Sequence, residues 1–247
     1  SRFIGAGHYR GMVDDPIFWK VMANNFWFAL GTIPTSIGVA LLMALWVNGR
    51  LPLRGLARMA YFTPTILPMV AVANIWLFFY TPQIGLLDQV GALFGARSHN
   101  WLGDPGTVMG CLIAMTIWKE AGFFMIFYLA ALQALPPELE EAGRIEGASR
   151  WYFFRRVTFP LLMPTTLFVL INATINSFKL VDHLFILTKG GPGTSTFNLA
   201  VYSFEQSIAS LRLGVGAATG VVMMVMLTLG SIVYLRVSGF GAEEKSP

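Results

Sequence analysis

Asn172, Asn176, Lys179 and His183 recur at i, i+4, i+7 and i+11 along a largely apolar run. At about 100° per residue these positions form one stripe of a helix. Two amides and an ammonium on one face give and accept hydrogen bonds without breaking covalent ones, which suits the passage of a hydroxyl-rich solute. Lys119 and Glu120 interrupt a second apolar run and Asn74 a third. Lys119 and Glu120 are adjacent, so they point about 100° apart and are not a local pair. Asp182 stands three residues after Lys179, where the two would pair. No Ser/His/Asp set, His-rich cluster or carboxylate pair stands near these runs. The single cysteine, Cys111, rules out a multi-cysteine metal site. We therefore expect no catalytic residue, no metal site and no enzyme.

A second concentration of chemistry is Glu140–Pro160, E-E-A-G-R-I-E-G-A-S-R-W-Y-F-F-R-R-V-T-F-P, with seven charges in a chain that is only 12% charged. Pro136-Pro137 ends the preceding helix and suits the first turn of the next. Glu138, Glu140 and Glu141 then favour the positive end of that helix's dipole, and Arg144 lies i+4 from Glu140. Gly147 breaks the helix. Ala148–Val157 resumes it, with Trp151, Phe154 and Val157 on one side, and Pro160 is expected to close it. The spacing predicts two short helices hinged at Gly147, offering charged and apolar faces to a partner.

The elements that position these groups follow from composition. The chain has 247 residues, is 55% hydrophobic and has a mean hydropathy of +0.62. Too few charges are present to coat a soluble surface of this size, which takes about 25% or more, so the chain is read as an integral membrane protein. A net charge of +4 leaves no nucleic-acid footprint. A span needs about 20 predominantly apolar residues. Phe26–Val47, Met59–Thr81, Val157–Phe178 and Leu213–Leu235 qualify without a charge, and Thr107–Ala134 qualifies with Lys119 and Glu120 inside. The expected fold is all-α, a polytopic helix bundle of five spans in contact with lipid. Continuous rather than alternating apolar runs exclude a barrel. Pro34, Pro64, Pro68 and Pro164 are expected to kink the spans. Polar groups placed inside such spans are costly and face a bundle interior or a water-filled path; the bland alternative is that they glue helices together. Asn74, Lys119, Asn172, Asn176, Lys179 and Asp182 are the path candidates.

Basic residues set the direction. Arg50, Arg54, Arg58, Arg144, Arg150, Arg155, Arg156, Arg236 and Lys245 fall on one side, nine against the six of Arg2, Arg10, Lys20, Arg97, Lys189 and Arg212. The bias puts the N-terminus outside and the charged loop and C-terminus in the cytoplasm. Residues 1–20 then form an extracytoplasmic lead-in, 21–237 the transmembrane domain with a cytoplasmic loop at 136–160, and 238–247 a cytoplasmic tail.

Glu141-Ala142-Gly143, Glu146-Gly147-Ala148, then Phe154, Val157 and Pro160 resemble the E-A-A loop of binding-protein-dependent ABC importer permeases, with Gly143 for the second Ala, Glu146 for Asp and Phe159 for Leu. Phe3-Ile4-Gly5 with His8-Tyr9-Arg10, Ala131-Leu132-Gln133 with Leu135-Pro136, and Leu187-Thr188-Lys189-Gly190-Gly191-Pro192 resemble segments of the carbohydrate and glycerol-phosphate branch in the same order. The resemblance implies a type I importer transmembrane fold, with a sixth helix upstream. It implies that Glu141, Ala142, Gly143, Glu146, Gly147 and Ala148 form the ATPase-coupling segment, with Glu141 facing basic residues of the partner. It implies as partners a second permease subunit, two ABC ATPase subunits and an extracytoplasmic solute-binding protein, in a bacterial inner membrane. The chain has no G-x-x-x-x-G-K-[ST] loop, so it carries no cofactor itself and ATP and Mg would belong to the ATPase. The implied function is one half of a path for a sugar, polyol or related solute. An amino acid or inorganic anion is the alternative, and a secondary transporter the more distant one, since no inverted repeat is visible.

Overall fold

The computed structural model describes residues 5–49, 54–179 and 181–237, apart from the side chains of Asp182, His183, Leu235 and Val237. The Phe3-Ile4 motif, Arg50 and the tail 238–247 lie outside the described residues, as does the Asp182 side chain. Among the described residues the regular structure is helical throughout: α1 Gly7–Val13, α2 Pro16–Asn48, α3 Arg54–Ile66, α4 Met69–Tyr80, α5 Leu86–Leu93, α6 Val108–Ala134, α7 Pro137–Ile145, α8 Arg150–Leu161, α9 Met163–Phe178, α10 Asp182–Leu187, α11 Leu199–Phe204 and α12 Leu213–Val237.

Helices α2, α6 and α12 are each long and apolar enough to cross a membrane, and there are up to five spans if the broken pairs α3–α4 and α8–α9 each count as one. The expected five runs are therefore present, two of them broken. α2 is longer than its apolar run: Pro16 opens it, and the Asp15 carboxylate accepts the Ile17 N–H at 2.9 Å as a cap. Its 33 residues extend about 50 Å, beyond the ~30 Å hydrocarbon thickness.

Two of the four prolines expected to kink the spans stand at sharp bends: Pro68 at the 100° break between α3 and α4, and Pro164 just past the 65° break between α8 and α9. Pro34 and Pro64 sit inside continuous α2 and α3. Pro164 stands in the first turn of α9, where no N–H is needed. Pro68 follows the end of α3 and is the N-cap of α4. Pro160 does not close α8. A π turn over Phe154–Thr158, closed by the Phe159 N–H on the Phe154 carbonyl, shifts the ladder ahead of it, and the helix runs on to Leu161 before bending 65° into α9.

The polar stripe is also shorter than its helical register predicts. α9 ends at Phe178, and the Lys179 N–H is shared between the carbonyls of Ile175 at 3.3 Å and Asn176 at 3.1 Å. Ser177 Oγ bonds back to Thr174 O at 2.8 Å. Such back-bonding competes with the helix ladder and tightens its last turn. Residue 183 belongs to the next helix, α10.

The chain divides into two compact units, Ser1–Thr32, Leu67–Thr116 and Thr174–Pro247 in the first, Ile33–Ile66 and Ile117–Ala173 in the second. The first is cored by Val72, Ala73, Leu112, Met115, Leu184 and Leu187, with a second cluster of Met12, Phe18, Val21, Leu199 and Tyr202. In the second, Ala40, Ala44 and Val47 of α2 meet Phe124, Met125 and Tyr128 of α6 and Val169 of α9. Small residues on α2 let the facing aromatic helix come close. Large apolar side chains such as Trp27, Leu42, Met224 and Val233 stay exposed, as the lipid-facing surface of a span requires.

Candidate functional site

The 136–160 loop takes the shape its residues dictate. Pro136 caps α7, Pro137 opens it, and Glu138 and Glu140 occupy its first turn. Arg144 reaches Glu140 at 2.6 Å; both are well exposed, so the pair contributes little to stability. The end is closed by three backbone bonds: Glu146 N–H to Ala142 O at 3.0 Å, Gly147 N–H to Arg144 O at 3.2 Å and Ala148 N–H to Gly143 O at 2.9 Å. Gly147 takes φ +70°, the left-handed turn that ends a helix. Ser149 Oγ then accepts the Tyr152 N–H at 3.2 Å and caps α8. The chain thus turns from α7 to α8 within four residues.

Gly143 lies against the ring of Phe153: a Cβ there would stand 2.6 Å from Phe153 Cδ2. This is the physical counterpart of the glycine at the position where the resemblance expects alanine. Glu141, Ala142, Glu146, Arg150, Arg155 and Arg156 of the pair are all exposed. Ile145 is 87% exposed and Trp151 69%. Trp151 stacks on Phe154 with centroids 5.7 Å apart. Two large apolar side chains are thus bare among the charges of this loop.

Asn172 and Asn176 lie one turn apart on α9, both half-exposed. Asn172 Nδ2 donates to Phe168 O at 2.8 Å. One such bond uses one of the four hydrogen-bonding positions an amide offers. Lys179 is exposed just past the helix end. Asn74 is exposed on α4 and donates to Val70 O at 2.8 Å. Lys119 is half-buried on α6, its ammonium 3.3 Å from Pro64 O and 3.5 Å from Thr65 O.

Two further polar centres were not among the candidate site residues. Asp88, in the first turn of α5, accepts hydrogen bonds from Ser98 Oγ, from Gln83 N at 2.8 Å, from Trp101 Nε1 at 2.8 Å and from His99 N at 3.4 Å. These bonds, Ser98 first, hold its carboxyl down to about 2. Asn24 of α2 donates to the carbonyls of Thr194 at 2.8 Å and Phe197 at 2.9 Å, and Asn25 Oδ1 accepts the Leu199 N–H at 3.2 Å. The Thr188 and Thr196 hydroxyls meet at 2.8 Å across the Gly-Gly-Pro turn.

The chain matches the family described as "Binding-protein-dependent transport system inner membrane component" over residues 36–238. It is 33% identical to the sulfoquinovosyl glycerol transport system permease protein SmoG of Agrobacterium fabrum over 96% of this chain and 77% of that protein. It is 31% identical to the trehalose/maltose transport system permease protein MalF of Thermococcus litoralis over 96% of this chain and 80% of that one. Its fold superposes with a TM-score of 0.88, at 23% identity, on a chain of a bacterial ABC transporter described as importing the acidic polysaccharide alginate, over 96% of this chain and 84% of that one.

Proposed function

The chain belongs to the family of binding-protein-dependent transport system inner membrane components, and we propose that it forms half of the path of an ATP-driven importer for a sugar, polyol or related solute. It is a multi-pass membrane transport subunit, not an enzyme. The sugar class is supported by relatives named for sulfoquinovosyl glycerol and for trehalose and maltose. The observation that carries the coupling role is the α7–α8 pair. A left-handed glycine fixes two short helices whose bare Ile145 and Trp151 sit among charges.

On this reading the face docks on one of two cytoplasmic ATPase subunits, with Glu141 towards basic residues of that partner. Ala142, Gly143, Glu146, Gly147 and Ala148 shape the contact. ATP and Mg reside in the ATPase. A second permease subunit completes the path, and a solute-binding protein delivers to the outer face, so the N-terminus lies outside and the C-terminus in the cytoplasm. Asn172, Asn176 and Lys179 line the path, with Asn74 and Asp182 as further members; Lys119, the remaining candidate, turns to main-chain carbonyls instead. The two amides offer paired donors and acceptors to hydroxyl groups.

Reconstitution of the whole assembly in vesicles tests this. Sugar uptake should require ATP, the ATPase and the binding protein together, and Glu141→Lys should uncouple hydrolysis from uptake. Uptake by the chain alone, driven by an ion gradient, would replace this reading with a secondary transporter.

A further inference from the structure

The broken helix α3 ends in a way that leaves a polar debt inside the membrane. The last four carbonyls of a helix have no partner within it. Here the deficit is chemical as well as geometric. The carbonyl of Pro64 would need the N–H of residue 68, and Pro68 has none. In hydrocarbon an unpaired carbonyl costs several kcal/mol.

The answer comes from α6. The Lys119 ammonium lies 3.3 Å from Pro64 O and 3.5 Å from Thr65 O. The contact is reciprocal, since Thr65 Oγ1 donates to the Lys119 carbonyl at 3.0 Å. One turn further along α6, Gly122 lets the two backbones touch: a Cβ there would fall 1.8 Å from Tyr61 O. Tyr61, Pro64 and Thr65 on α3 thus face Lys119 and Gly122 on α6, all within the second compact unit. A cation at a helix C-terminus also complements the negative end of its dipole.

We propose that Lys119 is the resident cation of this broken helix, a positioning residue that holds the end of α3 in place by supplying the donors Pro68 cannot. Ion-coupled transporters with broken helices bind a mobile cation at such half-helix C-terminal ends. Here the cation is tethered, so no ion need be bound or released at this point of the cycle. The ammonium serves the protein's own carbonyls and is not the counter-charge of an anionic solute. This rests on the transport reading above.

The test uses the complete importer in vesicles with Lys119→Met, Lys119→Arg and Lys119→Ala, the last with and without added methylammonium. Assembly is checked by size-exclusion chromatography. Lys119→Met should lower the maximal ATP-driven uptake rate roughly ten- to thirtyfold, the scale of a partly buried cation at a helix C-terminus. The KM for solute-loaded binding protein and the preference between neutral and anionic solutes should stay within about twofold. Lys119→Arg should keep most of the rate, and methylammonium should restore part of it to Lys119→Ala. A Lys119→Met variant with the wild-type rate overturns the proposal. So does one that changes KM or solute preference while its rate stands, which would make Lys119 a solute contact. If Lys119→Met fails to assemble, Lys119→Ala decides: rescue of assembly and uptake by methylammonium supports the proposal, and its absence refutes it. Failure of the wild-type assembly to take up solute would instead remove the transport reading itself.

Discussion

Replacing Gly147 by valine isolates backbone strain from packing. Gly147 has φ +70°, and a Cβ built on it meets nothing within 4 Å. Any cost of a side chain is therefore conformational. An L-residue held in the left-handed region costs roughly 1–2 kcal/mol, and a β-branched one sits at or above the top of that range. With tenfold per 1.4 kcal/mol, the α7–α8 arrangement should lose about five- to thirtyfold of its population in Gly147→Val. Asparagine tolerates the left-handed region better, so Gly147→Asn should stay near the native value and Gly147→Ala fall between. The assay is ATP-driven uptake in vesicles with the ATPase rate measured in parallel. Uptake should fall in the order Gly, Asn, Ala, Val while the solute KM holds. Equal uptake by Gly147→Val, or Gly147→Asn as impaired as Gly147→Val, would refute the reasoning, because neither is compatible with a φ-controlled turn.

Other outcomes follow from the same geometry. Asn176→Leu should reduce uptake while assembly and basal ATPase activity persist, since only the proposed inner surface changes; Lys179→Met should nearly abolish an anion's uptake yet only weaken a neutral sugar's. The Asp88 carboxyl is held down to about 2, below the usual ~3.9, so its contribution to the 83–101 segment is present above about pH 4 and lost as pH falls through 2. Limited proteolysis of residues 83–101 should accelerate in Asp88→Ala at neutral pH, and no acceleration would show the hydrogen bonds to be dispensable. A cysteine at Ser149 should label only from the cytoplasm and one at Ser195 only from outside, with Cys111 first changed to alanine; labelling of both from one side would overturn the topology.

What was legible in the sequence was what depends on period and on local turn chemistry. Apolar length marked the spans, and Pro136-Pro137 with Gly147 marked the start of α7 and the hinge, while Pro160 did not mark the end of α8. What was not legible depends on backbone groups and on partners distant in the chain. The break after α3 required knowing that Pro68, unlike Pro34 or Pro64, is left without a continuing helix around it. Its early signal was Pro68 itself, which removes the donor for the Pro64 carbonyl, but Pro34 does the same inside a continuous helix. Lys119 was recognisable as a costly charge within an apolar run, but the Pro64 and Thr65 carbonyls it meets are main-chain oxygens that carry no residue signature. Asp88 and its donors are spread over residues 83–101 with no repeating interval, so no pattern announces them. The stripe through Asn172 was sound for one turn, then failed at Phe178, where Ser177 back-bonding and a shared N–H end the helix without proline or glycine.

The central claim is that the α7–α8 face couples this subunit to an ATPase. Ile145, 87% exposed at the end of α7, is the position to probe. A benzophenone-bearing amino acid placed there in the complete importer, irradiated in the membrane, should join this chain to the ATPase subunit, and the yield should change when ATP is added. Adducts to lipid alone, with none to the ATPase, would contradict the account.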